Sequence, residues 1–272
     1  MNAQKTIFAL GTVNGISIWD APAEKANHAL REIERLILDA DRRLSIFRPD
    51  SEISRLNACA GKRAVSLSPQ TLEILAKAME MRDCTNGAFD VTKGAGHNGL
   101  TLDAEAQTAF LKNKGTRVDL GGIAKGYVAD QVRRILSEEG TSNALVNLGG
   151  TILCHGEGRE VGIRNPMNPS HPPLLTIYSR DEFIVTSGTY ERGEHVWDPK
   201  TKKAAATDLV SVTILGKNGA AADALATACM VLGLRESAGL LRKRRESAIF
   251  VLKDGGVFVT EGVRKQIAKK GA

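Results

Sequence analysis

Two oxygen-bearing side chains stand out in an otherwise small and apolar stretch, GAAADALATACMVLG, from Gly219 to Gly233. Asp223 and Thr227 are four residues apart, so a helix places them on one face, one turn apart. A carboxylate and a hydroxyl suit a hard cation such as Mg²⁺, which often binds substrate phosphates as well. The alternative is structural: an Asp that suits the helix dipole and a Thr that bonds back to its own turn. Taken alone, the pair fits the structural role better.

A second candidate site is the glycine turn DLGGIAKG, from Asp119 to Gly126. The pattern predicts a strand before it and a helix after it, where free backbone amides and the helix dipole attract anions. Lys125 offers a cation for a phosphate, and Asp119 offers an acceptor for a ribose or a base edge. The stretch matches neither the dinucleotide-binding nor the Walker A pattern. A tight strand–helix turn with a capping Asp explains it equally well.

A third candidate lies in the segment SGTYERGEHVWDPKT. His195 has the chemistry of a general base at neutral pH, and Asp198 is close enough in sequence to tune it. The plainer interpretation is a surface histidine in a loop.

Composition is that of an ordinary globular protein, and it argues against one class of partner. The chain has 272 residues, 42% of them hydrophobic and 25% charged, which is ordinary globular usage with room for a sizeable core. Its formal net charge of +6 suits nucleic acid, a membrane surface or phosphorylated small molecules. Aromatic residues make up only 4%, which argues against a stacking platform for single-stranded nucleic acid. We therefore expect no nucleic-acid partner.

The cysteines and the N-terminal sequence predict a compartment. The four cysteines are isolated, without the spacing of a zinc site or a CxxC motif. The N-terminus has no apolar region of signal-peptide length and no lipobox cysteine. No run reaches the roughly 18 apolar residues of a transmembrane helix. These patterns predict a cytoplasmic protein with reduced thiols and no membrane anchor.

The first half of the chain predicts both strands and helices. Residues 6–18 alternate like a strand, or a hairpin broken at Asn14-Gly15. Asp20 is a candidate cap for a following helix, in which Leu30, Ile33, Ile37, Ala40 and Leu44 keep an apolar helical period. Ser68-Pro69 opens another helix. FDVT, which ends at Thr92, predicts a short strand, whereas 94–116 show no clear periodicity.

The second half contains short strands, the Gly219 helix and a hairpin with its turn at Asp254-Gly255. Gly140 is placed as the C-terminal cap of the helix that DLGGIAKG opens. Strands and helices do not alternate strictly, which favours an α+β fold of mixed sheets and packed helices over a doubly wound sheet.

The order of the motifs is more specific than any one of them. The blocks LSIFRPDSEISRLN, GAFDVTKG, VDLGGIAKGYVAD, LVNLGG, VGIRNP, VTSGTYER, HVWDP and ADALATACMVLG follow one another along the chain. This chain resembles the ApbE-type family of FAD:protein FMN transferases from about Leu10 to Gly233, and DLGGIAKG and ADALATA are the most specific blocks. The resemblance implies the family's α+β fold, as a single domain over 1–272 or as two closely packed subdomains.

The resemblance also implies an activity. The family binds FAD and Mg²⁺ and transfers FMN to a Thr or Ser hydroxyl of a partner flavoprotein, with release of AMP. One alternative is a Mg²⁺-dependent FAD pyrophosphatase that uses water as the nucleophile and gives FMN and AMP. A second alternative is a FAD-binding protein without turnover.

Site residues are carried over by the same resemblance. The metal ligands implied are the side chains of Asp223 and Thr227 and the backbone carbonyl of Gly122. His195 matches the family's catalytic histidine; we hypothesise that it accepts the proton of the acceptor hydroxyl and that Asp198 orients it. The residues implied in binding FAD are Leu10, Phe47, Ala88, Phe89, Asp90, Asp119, Lys125 and Trp197.

The chain departs from the family pattern in several places. The segment between FDVT and VDLGG is shorter than usual and lacks the common GPL and WGFG motifs. Lys202 stands where the family usually has Gly in DPxTG, and Thr151 where it has Asp or Asn after Gly-Gly. Most members are exported and lipid-anchored, so the absence of both signals leads us to expect a cytoplasmic acceptor. None of these departures removes an implied metal ligand.

Overall fold

The computed structural model describes residues 2–96, 99–168, 170–189 and 196–267. The helices in these ranges are α1 (Ala23–Leu44), α2 (Glu52–Ala58), α3 (Pro69–Cys84), α4 (Ala124–Glu138), α5 (Gly219–Arg244) and α6 (Glu261–Gln266). The strands are β1 (Ala3–Ala9), β2 (Thr12–Trp19), β3 (Val65–Ser66), β4 (Leu100–Asp103), β5 (Thr108–Leu111), β6 (Asn143–Leu148), β7 (Thr151–His155), β8 (Arg159–Ile163), β9 (Leu175–Ser179), β10 (Glu182–Gly188), β11 (Trp197–Asp198), β12 (Lys203–Ala204), β13 (Leu209–Gly216), β14 (Ser247–Leu252) and β15 (Val257–Val259).

An eight-stranded sheet organises the described part of the chain, in the order β1-β2-β6-β7-β10-β13-β14-β15. Every neighbouring pair in it is antiparallel. The smaller sheets are β3-β5-β4, β8-β9 and β11-β12. An antiparallel sheet with helices that do not alternate regularly with its strands is an α+β architecture, so the predicted fold class is confirmed.

The two faces of the large sheet belong to different apolar clusters. Successive side chains of a strand point to opposite faces. In β10, Ile184 joins a small cluster under β8, β9 and α6, whereas its neighbour Val185 joins the main core. The main core includes α1, α3, α4 and α5, and its buried Ile33 and Ile37 confirm the apolar period predicted for the first helix. The prediction of one domain or two packed subdomains stays a prediction.

The N-terminal hairpin turns at a different place from the predicted Asn14-Gly15. Ala9 pairs with Thr12, which leaves Leu10 and Gly11 as a two-residue turn with φ of 54° and 70°. Asn14 is fully buried in β2, where its side-chain amide donates to the backbone carbonyls of Ile7, Ala9 and Thr12. The Asn-Gly pair predicted a turn from local preference, but the buried amide instead stabilises the turn from within the strand.

Two other local predictions were wrong. Asp20 has φ of 56° and does not cap α1, whose N-cap residue is Pro22. FDVT is a turn because the Asp90 carboxylate accepts hydrogen bonds from the backbone and hydroxyl of Thr92. The aperiodic residues 94–116 contain the antiparallel pair β4–β5. The predicted roles of Ser68 and Gly140 are confirmed: Ser68 caps α3, and Gly140 follows α4 with φ of 64°.

Helix α5 is apolar for most of its length and contains one interruption. Gly233 has φ of 74° and ψ of 177°, so the helix is kinked there. By length and composition α5 is the one helix in the described ranges that could cross a membrane. It is not an uninterrupted apolar run, since Asp223 and Thr227 lie within it. Half of its most apolar 18-residue window is buried inside the protein, as expected for a helix of the core.

Candidate functional site

The N-terminal ends of α4 and α5 touch through two glycines. A Cβ on Gly126 would overlap the backbone carbonyl of Gly219 and lie 2.8 Å from the Cβ of Asp223. A Cβ on Gly219 would in turn lie 2.5 Å from the carbonyl oxygen of Gly126. Because neither glycine has a side chain, the backbone of α4 comes within hydrogen-bonding distance of the α5 side chains.

The Asp130 carboxylate and the Asn218 carboxamide accept hydrogen bonds from the first backbone amides of α5. Both oxygens of Asp130, on α4, accept hydrogen bonds from the backbone amides of Gly219 and Ala220, at 2.7 and 2.9 Å. The Asn218 side chain accepts from the amide of Ala221 at 2.8 Å. These bonds occupy amides that a helix N-terminus leaves free, and they fix α5 against α4.

The three implied metal ligands lie together at this crossing. Asp223 is 3% exposed, and one carboxylate oxygen accepts the backbone amide of Gly126 at 3.0 Å. Thr227, one turn further along α5, approaches Gly122 so closely that a Cβ there would lie 2.7 Å from the threonine Oγ1. All three residues line the same cleft. The predicted helix spacing of the two side chains is therefore confirmed.

The chemistry of these donors fits a hard cation. Burial raises the pKa of Asp223, while the positive charge of Lys125 and the Gly126 amide act in the opposite direction. A desolvated carboxylate beside a hydroxyl and a carbonyl is an all-oxygen donor set that a divalent cation would neutralise. Among the described residues, no cluster of three His, Cys, Asp or Glu side chains offers a metal site. A cation here therefore needs further oxygen ligands, such as phosphates or waters.

The cleft around these ligands contains about 1130 Å³ of empty space, including its open mouth. It brings together most of the site residues implied by the resemblance. It also contains residues that the sequence did not single out, at the end of β10, in the 91–93 turn and on α5. The implied residues in the cleft are Ala88, Phe89, Asp90, Asp119, Gly122, Lys125, Trp197, Asp223 and Thr227, and the additional ones are Val91, Lys93, Gly121, Thr186, Ser187, Gly188, Val196, Pro199 and Met230.

Backbone contacts orient the charged groups of the cleft. Lys125 donates to the carbonyl of Gly149 at 2.8 Å, which fixes its ammonium group near the buried Asp223. Asp119 accepts the amide of Gly121 at 2.9 Å with one oxygen, and its other oxygen lies 3.3 Å from the ammonium group of Lys93. The cleft therefore presents two ammonium groups beside three carboxylates, so a ligand with several negative charges would also need a cation bound there.

Asp90 has mainly internal partners. Its carboxylate accepts from the amide and hydroxyl of Thr92 and from the amide of Gly94, and it lies 3.5 Å from the Arg82 guanidinium. These bonds shape the turn that lines one wall of the cleft. The structure thus supports a positioning role for Asp90 in addition to the contact implied by the resemblance.

A second cavity adjoins the first. It contains about 710 Å³ of empty space and shares Asp119, Gly121 and Lys125 with the main cleft. Its remaining wall is largely apolar and includes Leu10 and Phe47, of which Phe47 is 86% exposed. The two cavities therefore adjoin at Asp119, Gly121 and Lys125, with most charged groups in the main cleft and most of the apolar surface of the second cavity beyond that junction.

The predicted catalytic pair is only partly described. His195 lies outside the described residues, so its role stays a prediction. Burial tends to raise the pKa of Asp198, but hydrogen bonds from the Lys200 amide and the Thr201 hydroxyl outweigh it and hold that pKa below its usual value. Both carboxylate oxygens thus have partners in their own turn, whereas Trp197 next to it lines the cleft.

Comparisons with known proteins agree with this arrangement. A model of the ApbE family matches residues 10–101 and 93–251. A protein of Treponema pallidum (strain Nichols) named FAD:protein FMN transferase is 31% identical, over 94% of this chain and 86% of its own length. A protein of the same name from Klebsiella pneumoniae (strain 342) is 28% identical, over 81% of each chain.

Solved structures show the same fold. The flavin transferase ApbE from Vibrio cholerae superposes with a TM-score of 0.86 at 24% identity, covering 98% of this chain and 99% of that one. An ApbE protein from Thermotoga maritima superposes with a TM-score of 0.88 at 23% identity, covering 99% and 100%. With the family model matching most of its length, this chain belongs to the ApbE family.

Proposed function

We propose that this protein is a Mg²⁺-dependent FAD:protein FMN transferase. The observation that carries the proposal is a pair of adjoining cavities, in which an all-oxygen donor set and two ammonium groups line the main cleft and one of those ammonium groups, that of Lys125, lies where the second cavity begins. FAD has the complementary shape, with a ring system at each end and a diphosphate in the middle. The names of the similar proteins support the same activity.

The protein's own groups would bind and orient the diphosphate. Asp223, Thr227 and the Gly122 carbonyl would hold Mg²⁺, which when bound supplies neutralisation of the phosphate charge. Lys125 would contribute a further positive charge. Asp119, held by the Gly121 amide, presents an acceptor between the cavities. Positioning of this kind supplies much of the acceleration in phosphoryl transfer.

The transfer itself needs a nucleophile from a second protein. A Thr or Ser hydroxyl of an acceptor flavoprotein would form a bond to the flavin-side phosphorus, and the bond from that phosphorus to the oxygen of AMP would break. The hydroxyl proton must pass to a base, which is the role that we assign to His195. Water in place of the hydroxyl would give FMN and AMP instead.

The decisive test is incubation with FAD and Mg²⁺, with and without a flavoprotein domain that has a Thr/Ser flavinylation motif. We expect AMP by chromatography and an FMN-sized mass gain on the acceptor. Asp223→Ala should reduce both by at least about a hundredfold, because it removes the carboxylate from the three proposed metal ligands. Glu236→Ala removes an exposed carboxylate from the same helix and should leave both unchanged.

The outcomes separate the alternatives. AMP without an acceptor mass gain, with FMN free in solution, would indicate a FAD pyrophosphatase. Bound FAD without AMP would indicate a binding protein without turnover. Full transfer by Asp223→Ala would contradict the proposed metal site.

A further inference from the structure

The turn between β1 and β2 has an unusual residue for its conformation. Leu10 has φ of 54°, a region that costs most side chains about 1–2 kcal/mol. Two-residue turns of this kind favour Asn, Asp or Gly. Among the described residues with left-handed backbone other than glycine, Leu10 is the only one with an apolar side chain. Strain of this kind is commonly retained at functional sites.

The carboxylate of Asp41 holds this turn. Its Oδ1 accepts the backbone amide of Leu10 at 2.8 Å. Asp41 lies in the last turn of α1, where the helix dipole disfavours a negative charge. Stability of α1 therefore does not explain an acidic residue at this position. The contact across 31 residues of sequence instead ties the strained turn to the helix.

Both residues line the second cavity, where Leu10 contributes part of the apolar wall. The buried Asn14 supports the same turn from below through the carbonyls of Ala9 and Thr12. Two polar side chains are thus used to hold one leucine in a strained conformation over the cavity.

We propose that Asp41 is a positioning residue that holds the Leu10 side chain against the ligand in the second cavity. The inference rests on the proposed function for the identity of that ligand: one ring system of FAD. Asp41 acts through Leu10, so its contribution to FAD binding exists only while the leucine side chain is present. The strained turn is thereby maintained at the expense of local stability.

The test is a double-mutant cycle on FAD affinity, measured by fluorescence titration with Mg²⁺ and without an acceptor. Asp41→Ala should weaken FAD binding roughly tenfold, the effect of losing one hydrogen bond to a charged group. Asp41→Asn keeps an acceptor oxygen and should retain affinity close to that of the wild type. Leu10→Gly should also weaken FAD binding while raising the melting temperature, because glycine adopts positive φ freely.

The double variant decides between positioning and direct contact. In the Leu10→Gly background, Asp41→Ala should have little further effect on FAD affinity. An equal loss in both backgrounds would show that Asp41 contacts FAD itself and would overturn the proposal. Unchanged affinity of Asp41→Ala, with only a lower melting temperature, would show a purely structural role and would also overturn it.

Asp181→Ala is the matched control. Its carboxylate accepts the amide of Gly156 at 2.7 Å, also at a residue with positive φ of 82°, and it lies outside both cavities. It should lower stability without changing FAD affinity. Wild-type protein that binds FAD but transfers no FMN would contradict the proposed function. The double-mutant cycle would still test the role of Asp41, because it measures only FAD affinity. Failure of the wild type to bind FAD would overturn both.

Discussion

The backbone conformation of Lys202 predicts that this substitution for the family's usual glycine lowers stability. Lys202 occupies the position at which the family usually has Gly, and its φ is 55°. Lys202→Gly should therefore raise the free energy of unfolding by up to about 1 kcal/mol, since glycine adopts this conformation without steric cost. Urea titration would measure the difference.

Lys200→Gly provides the control for this prediction, because Lys200 lies in the same turn without a positive φ. That substitution should be neutral or destabilising, since glycine adds freedom to the unfolded chain. Equal stabilisation by both substitutions would rule out backbone strain at Lys202 as the cause.

At the scale of residues, the sequence indicated candidate ligand side chains more clearly than the residues that hold the backbone around them. Asp223 and Thr227 stood out as a carboxylate and a hydroxyl among alanines, one helical turn apart, but alone they fitted a structural role better and only the family resemblance implied a metal. Asp130 and Asp41 gave no such signal, since their partners are backbone amides 89 and 31 residues away. A carboxylate that bonds to a distant backbone amide looks in sequence like any charged surface residue.

At the scale of elements, the crossing of α4 and α5 sets the positions of the proposed metal ligands. Gly126→Ala would place a methyl group against the Gly219 carbonyl and the Asp223 side chain, so the helices must separate. We expect a loss of roughly 2 kcal/mol in unfolding free energy, typical of overpacking, and the loss of any Mg²⁺-dependent rise in melting temperature. Thermal unfolding with and without Mg²⁺ and FAD would measure both effects.

Gly239→Ala is the control for the helix crossing. It lies in α5 with open space where its Cβ would be, so alanine should stabilise the helix by up to about 1 kcal/mol. If Gly126→Ala behaves like Gly239→Ala, the glycine contact does not hold the two helices in place.

Elements with strong periodicity were predictable, and those shaped by distant contacts were not. The apolar period of α1 and the Ser-Pro start of α3 are local signals, and both are confirmed. The hairpin turn was misplaced because the Asn14 amide bonds within the core rather than forming a turn. The sequences of β4 and β5 lack a clear alternation of apolar and polar residues. They are strands because β5 pairs with β4 and with β3 in the folded protein.

At the scale of the whole molecule, the site assembles from separate parts of the chain. Lys125 bonds to the carbonyl of Gly149, and Gly149 lies against Thr12 beside the strained hairpin turn. Binding of a ligand across both cavities would therefore stabilise the N-terminal hairpin, α4 and α5 together.

The cysteines offer a test of the core as a whole. Burial raises the pKa of Cys154 and of Cys229 to about 11, so almost no thiolate, the reactive form, is present at pH 8. Cys59 and Cys84 are free and partly exposed. We expect iodoacetamide to modify Cys59 and Cys84 in the native protein, and all four only after denaturation, as read by peptide mass spectrometry. Rapid native modification of Cys229 would contradict its burial in α5.

The two tryptophans lie in different surroundings, so their intrinsic fluorescence reports on two different properties of the protein. Trp19 is 8% exposed and lies beneath the Arg159 guanidinium, 3.8 Å from the ring centroid, on the large sheet. Trp197 is 40% exposed and lines the cleft. Emission from Trp19 should therefore follow unfolding, while emission from Trp197 should be quenched by a chromophore in the cleft. Intrinsic fluorescence can thus separate occupancy of the site from integrity of the fold without an added label.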